Sequence, residues 1–354
     1  MPVKGAEMLA KQDMSNLPTM EMIAKRLGVS KMTVSRVLNN HPYVSDKVRK
    51  KVQDIMKELK YRPNMSAAVL SRRSSKTLGL ILQFYNNNIF STYYLMEVLY
   101  GVEQALDAYG YNLVLFSRIQ PRKNFEDITN WYYGGMVKGF ILVAPSLESP
   151  VVKALIKEKA NFIIVSGKSV NKSVNWIDTD NVRGGYLATE HLLKLGHRKI
   201  AFISGQIDSE NSLDREQGYY KALAEYGVKP NKNYIVSGEF EQKLAYKGMT
   251  KLLEAANPPT AVFAANDLMA LGALQAAKEK GLKVPRDLSI VGFDNIDLAI
   301  SSEPALTTIS QDAKTLGKLA AEFLVNHGTE KGGMPLQKIL DVSLIKREST
   351  AVLK

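Results

Sequence analysis

Short β-rich runs alternate with stretches of helical periodicity over most of the chain, from residue 77 to the C-terminus. The runs include LGLILQ, GFILVAP, RKIAFISG and LSIVGFD, and segments such as YLMEVLYGVEQALDAYG separate them. Such an alternation is typical of parallel sheets that are covered by helices. The alternating strands and helices form two sets along the chain, which predicts two similar lobes. We therefore predict a two-lobed α/β core of parallel sheets over residues 77–354.

The excess positive charge of the chain is concentrated in residues 19–76. This segment holds 14 Lys/Arg and four Asp/Glu, whereas the whole chain of 354 residues has a net charge of +12. A positive charge confined to one segment indicates a polyanionic partner such as nucleic acid. The same charge also fits a solvated helical surface, so charge alone does not decide between these two interpretations.

Three short helices are predicted in residues 19–62. Thr19 is the expected N-cap of TMEMIAKRLG, which Gly28 ends, and Ser30 is the expected cap of KMTVSRVLN. A third helix begins at Ser45. A helix, a tight turn containing glycine and a second helix are typical of a helix-turn-helix, whose second helix enters the major groove of DNA. The alternative is a three-helix bundle that does not contact DNA.

The outward face of the second helix carries the side chains expected to read bases. Arg36 can bind a guanine through two hydrogen bonds, Lys31 can bind a guanine acceptor or a phosphate, and Met32 suits a thymine methyl. Basic residues of the first and third helices are better placed for phosphates, which fix the register without reading sequence: Lys25, Arg26, Lys47, Arg49, Lys50 and Lys51. The predicted DNA-binding residues of the head are Thr19, Lys31, Met32, Thr33, Ser35, Arg36 and Asn39.

A short helix capped by Asn64 is predicted in the segment 63–76, which we treat as a hinge. Leu70 is an apolar residue in this basic segment, and Arg72 and Arg73 follow closely. A leucine that unstacks a base step in the minor groove would explain its presence there. We therefore add Asn64, Leu70, Arg72 and Arg73 to the predicted DNA-binding residues; a plain linker is the alternative.

Polar residues follow several of the predicted strands of the core. Ligands bind beyond the carboxyl ends of the strands in open α/β sheets, so these residues are expected at one cleft. An arginine donor fork with amide and carboxylate acceptors suits a hydroxylated or heterocyclic ligand, and Tyr94 and Phe240 would supply apolar faces. Helix capping is the competing interpretation for each polar residue alone, and for Asp267 in particular. The polar candidates are Arg215, Asn266, Asp267, Asp294 and, more weakly, Asp180.

No known catalytic or metal-binding motif is found in the sequence. The chain has no cysteine and four histidines, none of them in a metal-binding spacing. Gly-x-Ser-x-Gly and Gly-x-Gly-x-x-Gly are also absent. We predict neither a cofactor, nor a metal, nor an enzymatic activity. The N-terminus lacks a signal peptide and no long apolar run follows, so we expect a cytoplasmic protein without membrane contact. A sugar receptor of the periplasmic type and an enzyme with a DNA-binding head are the rival classes.

Several motifs, in order and spacing, resemble the lactose-repressor/galactose-repressor (LacI/GalR) family of bacterial regulators over about residues 17–350. The resemblance implies a helix-turn-helix head, a hinge helix, and a core like that of periplasmic sugar-binding proteins in which the chain crosses between lobes more than once. It also implies two-fold dimers on near-palindromic operators. The motifs are TVSRVLN (33–39), VSDKVRKKVQDIMKELKYRPN (44–64), DNVRGGYLATEHLLKLGHRKIAFISG (180–205), NDLMALG (266–272), VPRDLSIVGFDN (284–295), PALTTI (304–309) and IKREST (345–350).

The same resemblance assigns roles to individual residues. Leu70 matches the intercalating leucine of the family, although Ala68 stands where an arginine is common. Arg215 matches a ligand-clamping arginine. The base-reading positions are matched by Lys31, Met32, Ser35 and Arg36. The effector-binding positions are matched by Tyr94, Lys168, Asn211, Arg215, Phe240, Asn266 and Asp294.

These observations predict a DNA-binding transcription regulator. Repression is the usual action of the family that it resembles, and a sugar or sugar derivative is the expected effector. The identity of the effector, its direction of action, the operator sequence and activation as an alternative all stay open. The expected domains are a tail (1–18), the helix-turn-helix head (19–62), the hinge (63–76) and the core (77–354). The lobes of the core are expected at 77–179 with 312–340, and at 180–311 with 341–354.

Overall fold

The computed structural model describes residues 18–38, 41–59, 61, 75–82, 93–116, 125–327 and 334–354. They belong to two compact units, one up to Arg73 and one from Ser74. The described part of the first unit contains three helices: α1 (Met20–Leu27), α2 (Lys31–Leu38) and α3 (Asp46–Glu58).

The turn between α1 and α2 has the geometry that its sequence predicts. Thr19 caps α1 by accepting a hydrogen bond from the N–H of Met22 at 3.3 Å. Gly28 ends the helix with φ at 66°, a left-handed conformation that glycine adopts without steric cost. The hydroxyl of Ser30 then accepts a hydrogen bond from the N–H of Thr33 at 3.1 Å. Both predicted caps are therefore confirmed.

The core of this unit is small and apolar. Ile23, Val34 and Val52, one from each helix, are wholly buried, and Ala24 and Val37 complete the buried set. Their burial fixes which side of α2 faces inward. The opposite side of α2 is consequently left on the surface.

The second unit is built on two six-stranded sheets. The strands of the first sheet are β1 (Thr77–Leu82), β2 (Asn112–Phe116), β3 (Phe140–Val143), β4 (Phe162–Val165), β5 (Asn175–Thr179) and β11 (Gln337–Leu340). The strands of the second sheet are β6 (Ile200–Ser204), β7 (Ile235–Ser237), β8 (Ala261–Ala264), β9 (Ser289–Asp294), β10 (Thr307–Ser310) and β12 (Ser343–Ile345).

The strand orders of the two sheets are alike: β11–β5–β4–β3–β1–β2 in the first and β12–β10–β9–β8–β6–β7 in the second. All pairs in the first sheet are parallel. In the second sheet β12 is antiparallel to β10, with Thr308 opposite Ile345. β12 departs from the predicted parallel arrangement. Only two residues separate it from β11 of the other sheet, so the chain reaches its new sheet through a very short connection. An antiparallel edge strand on a parallel sheet is common in folds of this class.

Helices cover the first sheet on both faces. Leu78 and Leu80 of β1 pack in an apolar cluster with one pair of helices (93–109 and 313–327), whereas Ile81 packs in a cluster with another pair (125–133 and 150–157). Residues of one strand alternate between faces, so burial of both sets requires a layer on each side. These helices are α4 (Tyr93–Tyr109), α5 (Phe125–Tyr133), α6 (Pro150–Lys157) and α12 (Ala313–His327).

The second sheet has its own core and its own helices. The predicted fold class, α/β with two lobes, is confirmed by these two sheets and by the comparisons described below. The chain passes from one sheet to the other three times: after β5, after β10 and after β11. The helices of this lobe are α7 (Asn181–Lys194), α8 (Glu210–Glu225), α9 (Gln242–Leu253), α10 (Asp267–Glu279) and α11 (Asp297–Ser301).

Two glycines let α7 and α8 pack with almost no space between their backbones. A Cβ atom added at Gly185 would lie 2.1 Å from the carbonyl oxygen of Arg215, and one added at Gly218 would lie 2.2 Å from that of Val182. Only glycine allows so close an approach. The consequence is that Arg215, on α8, is brought beside the first residue of α7, Asn181.

Candidate functional site

The exposed side of α2 carries three of the residues predicted to read bases. Lys31 and Arg36 are exposed, and the side chain of Met32 is 62% exposed. Ser35 is half-buried. Thr33 is also half-buried, and its hydroxyl is hydrogen-bonded to that of Ser30 at 2.9 Å. The structure therefore leaves Lys31, Met32 and Arg36 as the most accessible groups of this helix.

Two of the six basic residues expected at phosphates are engaged within the head. The guanidinium of Arg26 donates to the carboxylate of Glu58 at 2.5 Å, and that of Arg49 donates to the carbonyl oxygen of His41 at 2.9 Å. These contacts hold α1 to α3 and anchor the residues before α3. The exposed lysines of the predicted set are Lys25, Lys47, Lys50 and Lys51.

Several predicted DNA-binding residues lie outside the described residues, and their roles stay sequence-based predictions. They are Asn39 after α2, and Asn64, Leu70, Arg72 and Arg73 in the hinge segment.

In the second unit, left-handed backbone collects where strands end. Ser166 follows β4 with φ at 60°, Phe240 lies beyond β7 with φ at 62°, and Asp294 ends β9 with φ at 112°. Non-glycine residues rarely adopt this conformation, and such residues concentrate at binding sites. The polar side chains described next surround these strand ends.

Arg215 lies at the centre of a buried polar cluster. Its side chain is wrapped by protein, with 3% of the residue exposed, and its guanidinium carbon lies 3.6 Å from the centre of the Phe293 ring. Nε donates to the amide oxygen of Asn181 at 2.9 Å, and Nη1 donates to the carbonyl oxygen of Ala265. Nη1 also lies 3.7 Å from a carboxylate oxygen of Asp294. Nη2 has no hydrogen-bond partner among the described residues.

Residues of the first lobe meet α8 of the second lobe. The side-chain amide of Asn211 donates to the carbonyl oxygen of Ser166 at 3.1 Å. The ammonium of Lys168 is paired with Asp214. The hydroxyl of Tyr94, from α4, is hydrogen-bonded to that of Ser166. The structure thus brings Tyr94, Lys168 and Asn211, which match effector-binding positions of the family, close to one another.

Asp294 is tied to a segment that crosses between the lobes. The side-chain amide nitrogen of Gln311 donates to Asp294 at 2.5 Å, and the hydroxyl of Thr179 donates to the amide oxygen of Gln311 at 3.1 Å. Gln311 follows β10 and Thr179 ends β5, so both belong to crossings between the sheets. These hydrogen bonds connect Asp294, at the end of β9 in the second lobe, to the two segments that cross between the sheets.

Asn266 and Phe240 border the cluster. The amide of Asn266 donates to the carbonyl oxygen of Phe240 at 3.4 Å, and Asn266 adjoins Ala265, which binds Arg215. The amide oxygen of Asn266 caps α10 by accepting from the N–H of Met269 at 2.8 Å. This oxygen is therefore engaged in the helix.

Asp267 and Asp180 have roles in the fold. The expectation that Asp267 is an N-cap is wrong, because Asn266 holds that position. Asp267 is wholly buried instead and accepts hydrogen bonds from the hydroxyl of Thr308 and the N–H of Ile296. Asp180 caps α7 by accepting from the N–H of Arg183 at 2.8 Å.

Burial dominates the electrostatics of the cluster. It raises the pKa of the Asp294 carboxyl, and the nearby Arg215 opposes that rise. Burial also raises the pKa values of Tyr94 and Asp267, and it lowers that of Arg215. The pKa of Asp178 is raised to about 7 by burial, against the lowering effect of a hydrogen bond from Thr179. Because these side chains are buried, the polar contacts among them are stronger than the same contacts would be in water.

The sequence reasoning missed six members of the cluster: Ser166, Glu210 and Asp214 at the contact between the lobes, and Asp178, Asn181 and Gln311 at or beside the crossings. Gln311 directly follows the last residue of β10, and Asn181 lies two residues after the end of β5. Asp178 lies in β5 itself, which is not among the runs that predicted strands. The motif beginning at residue 180 contains Asn181, and a search for polar residues at every crossing between lobes would have found Asp178 and Gln311.

We name the following residues the interlobe cluster: Tyr94, Ser166, Lys168, Asp178, Asn181, Glu210, Asn211, Asp214, Arg215, Asp294 and Gln311. Within the described ranges, no group of three His, Cys, Asp or Glu side chains is arranged to hold a metal ion. In the same part of the chain, every helix is too short or too polar to traverse a bilayer.

A basic helix-turn-helix unit joined in one chain to a two-lobed core with a buried polar cluster defines a class of protein: DNA-binding regulators that respond to a small molecule. Residues 19–64 match the model of bacterial regulatory proteins of the lacI family. Residues 189–350 match that of a periplasmic binding protein-like domain.

Similar proteins cover nearly the whole chain. The transcriptional regulator CelR of Thermobifida fusca is 32% identical over 94% of this chain and 98% of its own length. The ribose operon repressor of Haemophilus influenzae is 34% identical, with 96% and 100% covered. The transcriptional repressor PurR of Erwinia tasmaniensis is 33% identical, with 95% and 97% covered.

Solved structures of similar fold also cover most of the chain. The lac repressor dimer bound to operator and the anti-inducer ONPF has a TM-score of 0.82 at 29% identity, with 94% of this chain and 99% of that one covered. A CelR–cellobiose complex has a TM-score of 0.71 at 32% identity, with 94% and 99% covered. A regulator from Enterococcus faecium with bound ribose has a TM-score of 0.70 at 31% identity, with 78% and 100% covered.

The chain belongs to the lacI family of bacterial regulatory proteins. It is therefore a DNA-binding transcription regulator with an effector-binding core, as its sequence predicted. Its similarity to bacterial transcription regulators is in keeping with the predicted cytoplasmic location.

Proposed function

We propose that this regulator is a repressor that binds a near-palindromic operator as a homodimer and releases or tightens that binding when a carbohydrate occupies the interlobe cluster. The observation that carries the proposal is the environment of Arg215. A guanidinium this deeply buried is held by Asn181, Ala265 and Asp294, and its Nη2 atom has no hydrogen-bond partner among the described residues. Planar donors beside carboxylate and amide acceptors are the groups that bind sugar hydroxyls.

Relatives support a carbohydrate effector. Two solved relatives are described as complexes with cellobiose and with ribose, and one curated relative is a ribose operon repressor. A purine is the alternative that PurR suggests by its name. The mixture of donors and acceptors around Arg215 favours a ligand with many hydroxyl groups over a flat heterocycle.

In the proposed site, Arg215 and Asp294 bind the effector from the second lobe. Tyr94 approaches from the first lobe, and Phe240 supplies an apolar face for a ring. Lys168, Asn211 and Asn266 line the site, with Asn266 contributing mainly its amide nitrogen because its oxygen caps α10.

The coupling to DNA follows from where the lobes are joined. Lys168, Ser166 and Tyr94 belong to the first lobe, and their partners Asp214 and Asn211 lie on α8 of the second. An effector held between these groups changes the free energy of one lobe arrangement relative to another. We propose that this change moves the hinges (63–76) of the two subunits relative to each other, so that Leu70 enters the minor groove only in one arrangement.

The proposed domains are those of the sequence: a tail (1–18), a head (19–62), the hinge and a core (77–354). In the head, Lys31, Met32 and Arg36 read bases, and the other predicted residues position the head on the phosphates. We also propose that the chain has no enzymatic activity, since its curated relatives are transcription regulators. Incubation with candidate sugars should give no product.

The effector site is tested by isothermal titration calorimetry of a carbohydrate that raises the melting temperature of the protein. We expect Arg215→Ala to abolish its binding and to leave operator binding intact. Arg183→Ala is the matched control, because Arg183 is an exposed arginine of the same lobe that stacks on Tyr186. Unchanged effector affinity in Arg215→Ala would place the effector elsewhere.

A further inference from the structure

Asp178 has a buried carboxyl oxygen that nothing in the fold satisfies. The residue is wholly buried at the end of β5. Its Oδ1 atom accepts two hydrogen bonds, from the N–H of Thr179 at 2.8 Å and from the amide of Asn181 at 3.2 Å. Its Oδ2 atom has no partner among the residues that the structure describes. Buried polar atoms are rarely left without a partner, because the loss of hydration is then uncompensated.

The position of Asp178 connects this oxygen to the effector site. Asn181, which donates to Asp178, also donates to Asn211 at 3.4 Å and accepts from Arg215. The side chain of Asn181 therefore connects Asp178 with Asn211 and Arg215, two residues of the proposed site. The charges of Lys168 and Arg215 act on its carboxyl, and its own charge acts on Tyr94, so all of these groups lie within short range.

The balance of charges in the interlobe cluster points to the class of ligand. Its carboxyl groups are Asp178, Glu210, Asp214 and Asp294. Its two cations are already paired, Lys168 with Asp214 and Arg215 with Asp294. The backbone N–H of Lys168 binds Glu210 as well. An anionic ligand would enter a buried site that has more carboxyl groups than cations, and each carboxyl group that is ionised would repel it at short range.

A hydroxyl group fits the free oxygen in either protonation state. It donates to an ionised carboxylate and accepts from a protonated one, whereas a carboxylate or phosphate group only accepts near neutral pH. The raised pKa of Asp178, which burial places near 7, makes both states accessible under physiological conditions.

We propose that Asp178 is a specificity-determining residue of the effector site, that its Oδ2 atom binds a hydroxyl of the effector, and that the site selects uncharged carbohydrates against sugar acids and sugar phosphates. This inference rests on the proposed carbohydrate-binding function and makes it narrower. No other residue of the cluster combines complete burial with an unsatisfied oxygen among the described residues.

The test is a titration of the full-length protein with matched pairs of probes: ribose with ribose 5-phosphate, glucose with glucuronate, galactose with galacturonate, and cellobiose with cellobionate. Of the pair that contains the tightest binder, we expect the neutral member to bind at least about tenfold more tightly than the anionic one. This ratio is measured on the unmodified protein and needs no variant.

Asp178→Asn then tests the residue itself. The amide keeps the Oδ1 acceptor for Thr179 and removes the carboxyl group, so we expect neutral binding to weaken about tenfold and the ratio of neutral to anionic affinity to shrink. Asp312→Asn is the matched control: Asp312 is exposed, lies in another crossing segment, and caps α12 through Thr315, a role that asparagine also fills. It should leave the ratio unchanged.

The outcomes separate the inference from the function on which it rests. If no probe binds, the carbohydrate-binding function itself fails, and the inference fails with it. If an anionic member binds as tightly as its neutral partner, the function stands and the selectivity is wrong. If the neutral member is preferred but Asp178→Asn leaves both affinities unchanged, the preference stands and the role of Asp178 is refuted.

Discussion

The DNA-binding surface of the head and the interlobe cluster of the core use polar side chains in opposite ways. On α2, Lys31, Met32 and Arg36 project from the protein, and a small apolar core beneath them holds the helix in place. In the interlobe cluster, Arg215 and Asp178 are buried and are bound to their neighbours. In our proposal, function and stability are therefore carried by different residues in the head, and by the same residues in the core.

The largest difference is expected in stability. Arg215→Ala should lower the free energy of unfolding of the core by about 3 kcal/mol, because it leaves buried carboxyl groups without their cation. Arg36→Ala should change the stability of the head by less than about 0.5 kcal/mol, since the side chain is exposed. Urea denaturation followed by circular dichroism measures both. Equal effects of the two substitutions would show that the contrast between head and core is mistaken.

A buried carboxyl should also make the stability of the core depend on pH. Burial raises the pKa of Asp178 to about 7, so between about pH 4 and 7 the folded protein holds a proton that the unfolded chain has released. Asp178 therefore makes the free energy of unfolding fall as pH rises from about 4 to 7, by up to about 1.4 kcal/mol per pH unit.

His191 has the opposite effect below its ordinary pKa, since burial lowers its pKa to about 4. The comparison with Asp178→Asn isolates the carboxyl. The difference in free energy of unfolding between the unmodified protein and Asp178→Asn should decrease steadily from about pH 4 to 7. A difference that is constant with pH would mean that Asp178 stays ionised in the fold.

Base reading by the head should appear as a change in preference. Arg36→Ala should weaken operator binding by about 1–3 kcal/mol and relax the preference at one base pair, because a two-bond contact with a base is lost. Binding to a set of operator variants, each altered at one position, measures this by fluorescence anisotropy. A loss that is uniform across all variants would contradict direct reading and would make Arg36 a phosphate contact.

The smallest effect is expected from a phosphate contact. Lys50→Gln should weaken binding to all sequences alike and reduce the slope of log affinity against log salt by about one. Lys229→Gln, an exposed lysine of the core, is the control and should leave the slope unchanged. If Lys50→Gln alters sequence preference and not the slope, the division of the head into base-reading and phosphate-binding residues is incorrect.

The sequence predicted much of this architecture because its strongest patterns are local. The caps at Thr19 and Ser30 depend on residues three positions apart, and strands such as β3 and β8 are continuous apolar runs. Strands β5, β10, β11 and β12 are not among the predicted runs. All four carry polar residues, and β11 pairs with β5, a strand from a distant part of the chain.

The interlobe cluster was predictable only in part for the same reason. Asp294 lies in the motif VPRDLSIVGFDN and Arg215 matches a ligand-clamping position of the family, and the structure brings the two within 3.7 Å of each other. Asp178 becomes informative only when its second oxygen is seen to lack a partner, which depends on packing and not on pattern. Likewise, Arg26 and Arg49 resemble phosphate contacts in sequence, and only the fold shows that Glu58 and His41 engage them.

The most direct test of the regulator's central property is operator affinity with and without effector. DNA from upstream of the chain's own gene is titrated with the unmodified protein and with Arg215→Ala, in the presence and absence of the tightest-binding neutral sugar. We predict that the sugar changes the operator affinity of the unmodified protein by about tenfold or more, and that Arg215→Ala keeps the sugar-free affinity but shows no change. An equal response of both proteins to the sugar, or no preference of the unmodified protein for this DNA over random duplex, would contradict the coupling between the two sites.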